Sequence, residues 1–167
     1  LCGCNDNSPE ARVHRLLTDR METLATAESC TGGTIAARFT AMPGASAYFL
    51  CGIVAYSLDT KQNMLGVNLD SLARHGAVSE ATVRRMAEGI RRMAGCHYGI
   101  ATTGIAGPTG GTPETPIGTV WIAVSSPTRT VSKVVHASGN RNHIIREAGT
   151  EVIEMLEEEI LAEGKPQ

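Results

Sequence analysis

The sequence predicts an α/β fold: a single-domain, three-layer α/β/α arrangement around a mixed parallel and antiparallel sheet. Short apolar runs alternate with segments of helical periodicity through residues 8–103, which is typical of strand-helix-strand units. Two further apolar runs, at 118–126 and 130–136, lie too close together for a crossover and predict an antiparallel hairpin. The chain of 167 residues has the length of one domain, which we place at 8–164 after a ragged or disordered lead over 1–7.

Local signals delimit the elements of the first part of the chain. Ser8, followed by a proline, begins a helix that we expect to end near Met21. The apolar run at 24–27 predicts a strand, and the small and branched residues of 31–41 predict a buried helix. A Pro-Gly break then precedes residues 48–57, whose β-branched and aromatic side chains predict the second strand.

Capping residues mark the two helices that follow. Asp59 and Thr60 are candidate caps for a short helix over 61–66. Ser79 caps a longer helix with apolar residues at helical spacing, and Gly95 ends it.

A long loop interrupts the last part of the chain. The predicted strand at 98–103 opens into residues 104–118, fifteen residues rich in Gly, Pro and Thr. This segment has no Walker lysine and no G-x-G-x-x-G that opens a helix, but its hydroxyls and amides suit a phosphate or a carboxylate. A turn-rich connector is the equal alternative. The chain ends in a helix over 142–163, whose broad apolar face is a candidate interface for a homo-oligomer.

Composition narrows the class of partner. The formal net charge is −2 and only 4% of residues are aromatic, so a nucleic-acid partner is not expected. No apolar run has the length of a membrane span, which leaves no membrane partner and the cytoplasm as the expected compartment. The five cysteines are an odd count without a repeated C-x-x-C, and Cys2 and Cys4 lie in the lead. We therefore expect a small-molecule partner, no cofactor and no metal.

Ser29 is the first candidate for chemistry, because it lies where a strand turns into a helix. Position alone favours a helix cap, with the hydroxyl beside the free amides of the first turn. Gly32 and Gly33 support a nucleophile instead, because they let a substrate approach the backbone amides of an oxyanion site. Cys30 is the adjacent rival nucleophile, although buried cysteines are usually inert.

A nucleophilic serine needs a base, and none of the five histidines lies in a motif (His14, His75, His97, His136 and His143). Tyr56 and Lys61 offer another route, because a desolvated lysine has a lowered pKa and accepts a proton. Taken separately, they are an ordinary strand tyrosine and a surface lysine.

Four motifs together resemble the CinA C-terminal domain family: AESCTGG at 27–33, G-x-V-A-Y-x-x-x-x-K at 52–61, GAVSE at 76–80 and TTGIAGPTGGTPETPIGTVWIAV at 102–124. The resemblance covers residues from about 9 to 161. It implies deamidation of nicotinamide mononucleotide to nicotinate mononucleotide and ammonia within pyridine-nucleotide recycling, catalysed without metal by Ser29, Tyr56 and Lys61.

Beside this catalytic set we infer substrate contacts in two segments, and the name of the family suggests an alternative function. Amides of residues 30–33 (Cys30, Thr31, Gly32, Gly33) would stabilise the oxyanion, and the loop residues Thr103, Gly104 and Gly107 would hold ribose or phosphate. Longer family members carry an additional N-terminal domain, so this sequence is either a stand-alone amidase or an isolated C-terminal domain. The alternative is a non-catalytic nucleotide-binding or regulatory module linked to competence or DNA damage.

Overall fold

A computed structural model describes residues 6–164, so Cys2 and Cys4 of the predicted lead lie outside the described residues. The strands are β1 (Leu24–Glu28), β2 (Phe49–Val54), β3 (Tyr98–Gly104), β4 (Thr119–Ser125) and β5 (Thr130–His136). The helices are α1 (Pro9–Arg20), α2 (Thr34–Thr40), α3 (Leu58–Leu65), α4 (Leu69–His75), α5 (Glu80–Ala94) and α6 (Arg141–Ala162), with a short 3-10 turn at Ala45–Ala47.

The five strands form one mixed sheet in the order β2-β1-β3-β4-β5. β1 is parallel to both β2 and β3, whereas β4 is antiparallel to β3 and to β5. The chain therefore leaves β1, β2, β3 and β5 at the same end of the sheet, which we call the carboxyl end. The opposite end, where these strands begin, is the amino end. Side chains that follow four different strands converge at the carboxyl end.

Side chains alternate between two cores, one on each face of the sheet. Leu24, Ile100 and Ile122 pack into the core shared with α1, α2 and α6. Their neighbours Ala25 and Ala101 belong to the core beneath α3 and α5. Because both faces are covered by helices, the predicted three-layer α/β fold with a mixed sheet is confirmed.

Several local predictions need correction. The helix predicted at 31–41 begins only at Thr34, after a four-residue turn. The cap of α3 is Ser57, whose Oγ accepts a hydrogen bond from the Thr60 amide at 3.1 Å, so neither predicted cap is used. The seven-residue α4, capped by Asn68, was missed because it is too short to show helical periodicity.

The apolar face of α6 packs inside the chain. Its apolar residues, including Ile144, Val152 and Leu156, are buried against the sheet and α1. The reason for predicting an oligomer interface on this face is therefore removed, since the face is already covered. No helix among residues 6–164 is long and apolar enough to cross a membrane.

Candidate active site

A cavity of about 270 Å³ opens at the carboxyl end of the sheet. Its lining includes most of the predicted site residues, which come from separate parts of the sequence: Ser29, Cys30, Tyr56, Lys61, Thr103, Gly104 and Gly107. The strand order explains the convergence, because β1, β2 and β3 are adjacent and end together. Ligands of α/β proteins bind at this end of the sheet.

Lys61 is the buried cation of this cavity. Its side chain extends from α3, the residue is only 2% exposed, and its Nζ lies 3.0 Å from Ser29 Oγ. The same Nζ donates to the carbonyl oxygens of Ala55 at 2.7 Å and Tyr56 at 3.2 Å. No carboxylate among residues 6–164 pairs with it. Burial therefore lowers the pKa of Lys61 below its ordinary value.

The two carbonyls determine which way a neutral Lys61 can act. A protonated ammonium has three N–H donors, one for each of its three acceptors. A neutral amine keeps only two protons, and the carbonyls of Ala55 and Tyr56 can only accept, so both protons point at them. The lone pair then faces Ser29 Oγ. In this state Lys61 is placed to take the proton of the Ser29 hydroxyl.

Ser29 does not cap α2, and the prediction from position alone was wrong. The residue before the helix is Gly33, and the Glu28 carboxylate accepts from the Ile35 and Ala36 amides at 3.0 and 3.1 Å. Ser29 instead donates its backbone N–H to the Thr102 carbonyl at 3.1 Å. Because the Glu28 carboxylate accepts from the first amides of α2, the Ser29 hydroxyl is available to bond with Lys61.

Cys30 lines the same cavity but is a poor nucleophile. Burial raises the pKa of its thiol to about 12. The thiol is therefore protonated at neutral pH, whereas a reactive cysteine needs a thiolate. Of the two adjacent candidates, only Ser29 has a base in hydrogen-bond contact.

Tyr56 lies at the mouth of the cavity and is 60% exposed. Its hydroxyl accepts a hydrogen bond from Arg141 Nη2 at 3.2 Å, and among residues 6–164 it forms no hydrogen bond with Ser29 or Lys61. Arg141 also donates from Nη1 to the Gly107 carbonyl at 2.7 Å. The structure thus joins Tyr56 to Arg141, while Lys61 contacts only the carbonyl of Tyr56.

Sequence reasoning missed Arg141. It is the first residue of α6, one position after the cap Asn140, and it has no carboxylate partner among residues 6–164. The available signal was topological. When the first strand of a hairpin is antiparallel to β3, the second strand of that hairpin is parallel to β3. The helix that follows the second strand therefore begins at the carboxyl end of the sheet.

Three of the four predicted oxyanion residues do not line the cavity. Thr31 Oγ1 donates to Glu28, the Gly32 amide donates to the Ser29 carbonyl at 3.0 Å, and Gly33 adopts a positive φ of 94° before α2. They build the turn behind Ser29. Cys30 alone of this group reaches the cavity, and its amide donates to no other residue among residues 6–164.

Thr103 and Gly104, which end β3 and do not belong to the loop, line the cavity together with the loop residue Gly107. The Thr103 hydroxyl is already engaged, because it donates to the Ala77 carbonyl at 2.7 Å. It thereby fixes the segment with Val78 as an apolar wall of the cavity. No group of three or more His, Cys, Asp or Glu side chains that could hold a metal ion occurs within residues 6–164.

The comparison with known proteins identifies the family of the chain. The sequence model of the CinA C-terminal domain matches residues 6–160. The chain belongs to the CinA C-terminal domain family. It is 48% identical over 151 residues to a CinA-like protein of an Anaeromyxobacter species, a match that covers 90% of this chain and 37% of the relative. A CinA-like protein of a Thermotoga species is 45% identical over 156 residues, which cover 93% of this chain and 38% of that protein.

Solved structures of the CinA family have the same fold. The crystal structure of the competence damage-inducible protein A (ComA) of Klebsiella pneumoniae superposes with a TM-score of 0.89 at 39% identity, covering 95% of this chain and 100% of that one. The chain spans little more than a third of the length of the two curated relatives, 37% and 38%. The similarity therefore concerns the CinA C-terminal domain.

Proposed function

We propose that this domain is a serine amidohydrolase that converts nicotinamide mononucleotide to nicotinate mononucleotide and ammonia. The observation that carries the proposal is the buried contact of 3.0 Å between Lys61 Nζ and Ser29 Oγ. A serine beside a desolvated lysine is an activated nucleophile for acyl transfer. The substrate follows from the family resemblance, and the residues of the cavity suit its parts.

The chemistry begins with proton transfer. Ser29 Oγ attacks the carboxamide carbon while its proton moves to neutral Lys61, whose new ammonium is held by the carbonyls of Ala55 and Tyr56. We assign the amide of Cys30, which lines the cavity, as the donor to the developing oxyanion, a contribution of about 3 kcal/mol per donor in serine hydrolases. Lys61 then gives its proton to the departing ammonia, which leaves an ester on Ser29. A water then gives a proton to Lys61 and attacks this ester, and Lys61 returns the proton to Ser29 Oγ as nicotinate mononucleotide leaves.

The remaining cavity residues suit a small phosphorylated amide. Leu58, Val78 and Ile105 supply an apolar wall for a pyridine ring. Arg141, a cation without a carboxylate partner among residues 6–164, suits a phosphate. Tyr56, the third predicted catalytic residue, has no proton-transfer step in this scheme, because its hydroxyl accepts a hydrogen bond from Arg141 at the mouth of the cavity.

The test is a product assay with the purified chain. We expect release of both ammonia and nicotinate mononucleotide, unaffected by a chelator, and no measurable turnover by Ser29→Ala. Ser125→Ala is the matched control, because this serine is also buried, 3% exposed, but lies at the amino end of the sheet. Turnover retained in Ser29→Ala would overturn the serine mechanism. Saturable binding of the nucleotide without product would favour a regulatory binding module instead.

A further inference from the structure

We propose that Glu28 is a positioning residue for Ser29, an inference that rests on the proposed function. Glu28 is the last residue of β1 and is only 1% exposed. Its Oε1 accepts from Thr31 Oγ1 at 2.6 Å and from the Ile35 amide at 3.0 Å. Its Oε2 accepts from the Ala36 amide at 3.1 Å. The carboxylate thus binds Thr31 within the turn after Ser29 and also binds the first turn of α2.

The groups that contact the Glu28 carboxylate are all hydrogen-bond donors. Three donors face its two oxygens, which act as acceptors. No cation among residues 6–164 forms an ion pair with it, so its charge is balanced by the amides at the start of α2 and by one hydroxyl. The conformation of the turn after Ser29 therefore depends on the hydrogen bonds that this carboxylate accepts.

A directed chain of hydrogen bonds connects this carboxylate to the backbone of Ser29. Thr31 has one hydroxyl proton, which goes to Glu28, so its oxygen must accept from Thr102 Oγ1 at 2.8 Å. The carbonyl of Thr102 accepts in turn from the Ser29 amide at 3.1 Å. The Ser29 amide thus holds Ser29 to Thr102 of β3. Thr31, in the turn after Ser29, is bonded both to Glu28 and to the same Thr102.

The main chain of Glu28 fixes the partner of Ser29 as well. The Glu28 carbonyl accepts from the Ala55 amide at 2.8 Å, and the Ala55 carbonyl accepts from Lys61 Nζ at 2.7 Å. One residue therefore sets the position of both the nucleophile and its base. A displacement of about 1 Å between reacting groups lowers a rate by about 100-fold.

Glu28→Gln is the decisive substitution because it keeps the size of the side chain. Whichever way the amide is oriented, its NH₂ replaces one oxygen and faces the backbone N–H of Ile35 or Ala36. We expect kcat to fall about 100-fold while KM stays within about threefold, since the cavity wall is untouched. A role limited to stability would lower the amount of folded protein and leave kcat per folded molecule unchanged.

Glu22→Gln is the matched control. Glu22 is another buried carboxylate, 4% exposed, which accepts from the Tyr98 hydroxyl at the amino end of the sheet. We expect it to lose stability with no change in kcat. Thr31→Val is the second variant, because it breaks the hydroxyl link and keeps the carboxylate in place, and we expect a fall in kcat of about 10-fold.

Two readouts separate this inference from the proposed substrate. Turnover of nicotinamide mononucleotide gives kcat and KM, and the rate at which a fluorophosphonate labels Ser29 reports the position of the nucleophile without that substrate. A wild-type chain that is labelled but releases no ammonia overturns the proposed substrate, and the labelling rates then decide the role of Glu28. Glu28→Gln and Thr31→Val chains that are labelled as fast as wild type overturn the inference.

Discussion

The two ends of the sheet both carry a polar cavity, and the amino end has the larger one. That cavity measures about 650 Å³ against about 270 Å³ at the carboxyl end, and three arginines line it (Arg91, Arg92 and Arg129). Two of them are already engaged: Arg129 pairs with Glu159 at 2.9 Å, and Arg91 donates to the His97 carbonyl at 2.8 Å. Neither cavity size nor the number of charges therefore marks the candidate site.

A buried charge without a counter-charge distinguishes the carboxyl end, because Arg92 at the amino end also lacks a carboxylate partner among residues 6–164 but is exposed. Lys61 is buried against neutral acceptors, and within residues 6–164 Arg141 has no carboxylate partner. At the amino end, the buried Glu22 lies 3.7 Å from Arg20 and accepts the Tyr98 hydroxyl. A charge left without a counter-charge is available to a substrate or a proton, whereas a paired charge stabilises the fold.

The largest expected effect follows from removing the buried amine. Lys61→Met keeps most of the side-chain volume but leaves Ser29 without a base, so we expect kcat to fall at least about 1,000-fold. Lys133→Met is the control, since that lysine pairs with Glu151 on the surface. Measuring ammonia release by both variants tests the prediction. A Lys61→Met chain with near wild-type turnover would show that another group activates Ser29.

Arg141 and Arg92 offer a matched pair from the two ends. Arg141→Gln should raise KM for nicotinamide mononucleotide about 10- to 100-fold, because a charge-assisted contact contributes about 1.5–3 kcal/mol. Arg92→Gln should leave KM unchanged, although Arg92 lines the larger cavity. The riboside, which lacks the phosphate, should lose little affinity in either variant. Equal losses for nucleotide and riboside would contradict a phosphate contact at Arg141.

Lys61 should also give stability a pH dependence. Burial lowers its pKa from the ordinary 10.5, so the folded chain releases this proton at a lower pH than the unfolded chain. Below the lowered pKa both states are protonated, and burial of the charge destabilises the fold in full. Between the lowered pKa and 10.5 the unfolded chain binds more protons, and the free energy of unfolding rises with pH.

Urea unfolding of wild type and Lys61→Met checks this sign. From neutral pH to pH 10.5, the difference should shift in favour of wild type by about 1.4 kcal/mol for each unit of pKa lowering. Titrating groups that do not interact with Lys61 are common to both chains and cancel. Cys30 does interact with Lys61, but burial raises the pKa of its thiol to about 12, so it stays protonated over most of this pH range. A pH-independent difference would mean that Lys61 titrates normally in the folded state.

The smallest effect is expected for the two buried thiols. Burial raises the pKa of Cys30 to about 12 and that of Cys96, at the amino end, to about 11. Both thiols are protonated at neutral pH, so Cys30→Ala and Cys96→Ala should each keep kcat within about threefold of wild type. Each should cost about 1 kcal/mol of stability through lost packing. A Cys30→Ala chain without turnover would make Cys30 the nucleophile.

Periodicity and caps predicted much of the fold, because they act between residues close in sequence. Ser8 caps α1, Ser79 caps α5 and Gly95 ends it, as expected from their side-chain chemistry. The strand at Thr130–His136 was predicted to the residue. The short helix at Leu69–His75 was missed. The helix after Ser29 was predicted to begin too early, because the side chain that accepts from its first amides is the Glu28 carboxylate and not Ser29.

The sequence by itself determined the α/β class, the alternation of elements and the motifs that contain Ser29 and Lys61. Only the tertiary structure decided that Lys61 Nζ lies 3.0 Å from Ser29 Oγ and that the Tyr56 hydroxyl accepts from Arg141. It also decided that Thr31, Gly32 and Gly33 do not line the cavity. Strand order decides these points, since it brings to one end of the sheet residues that follow different strands. The lowered pKa of Lys61 likewise comes from burial, which no local pattern specifies.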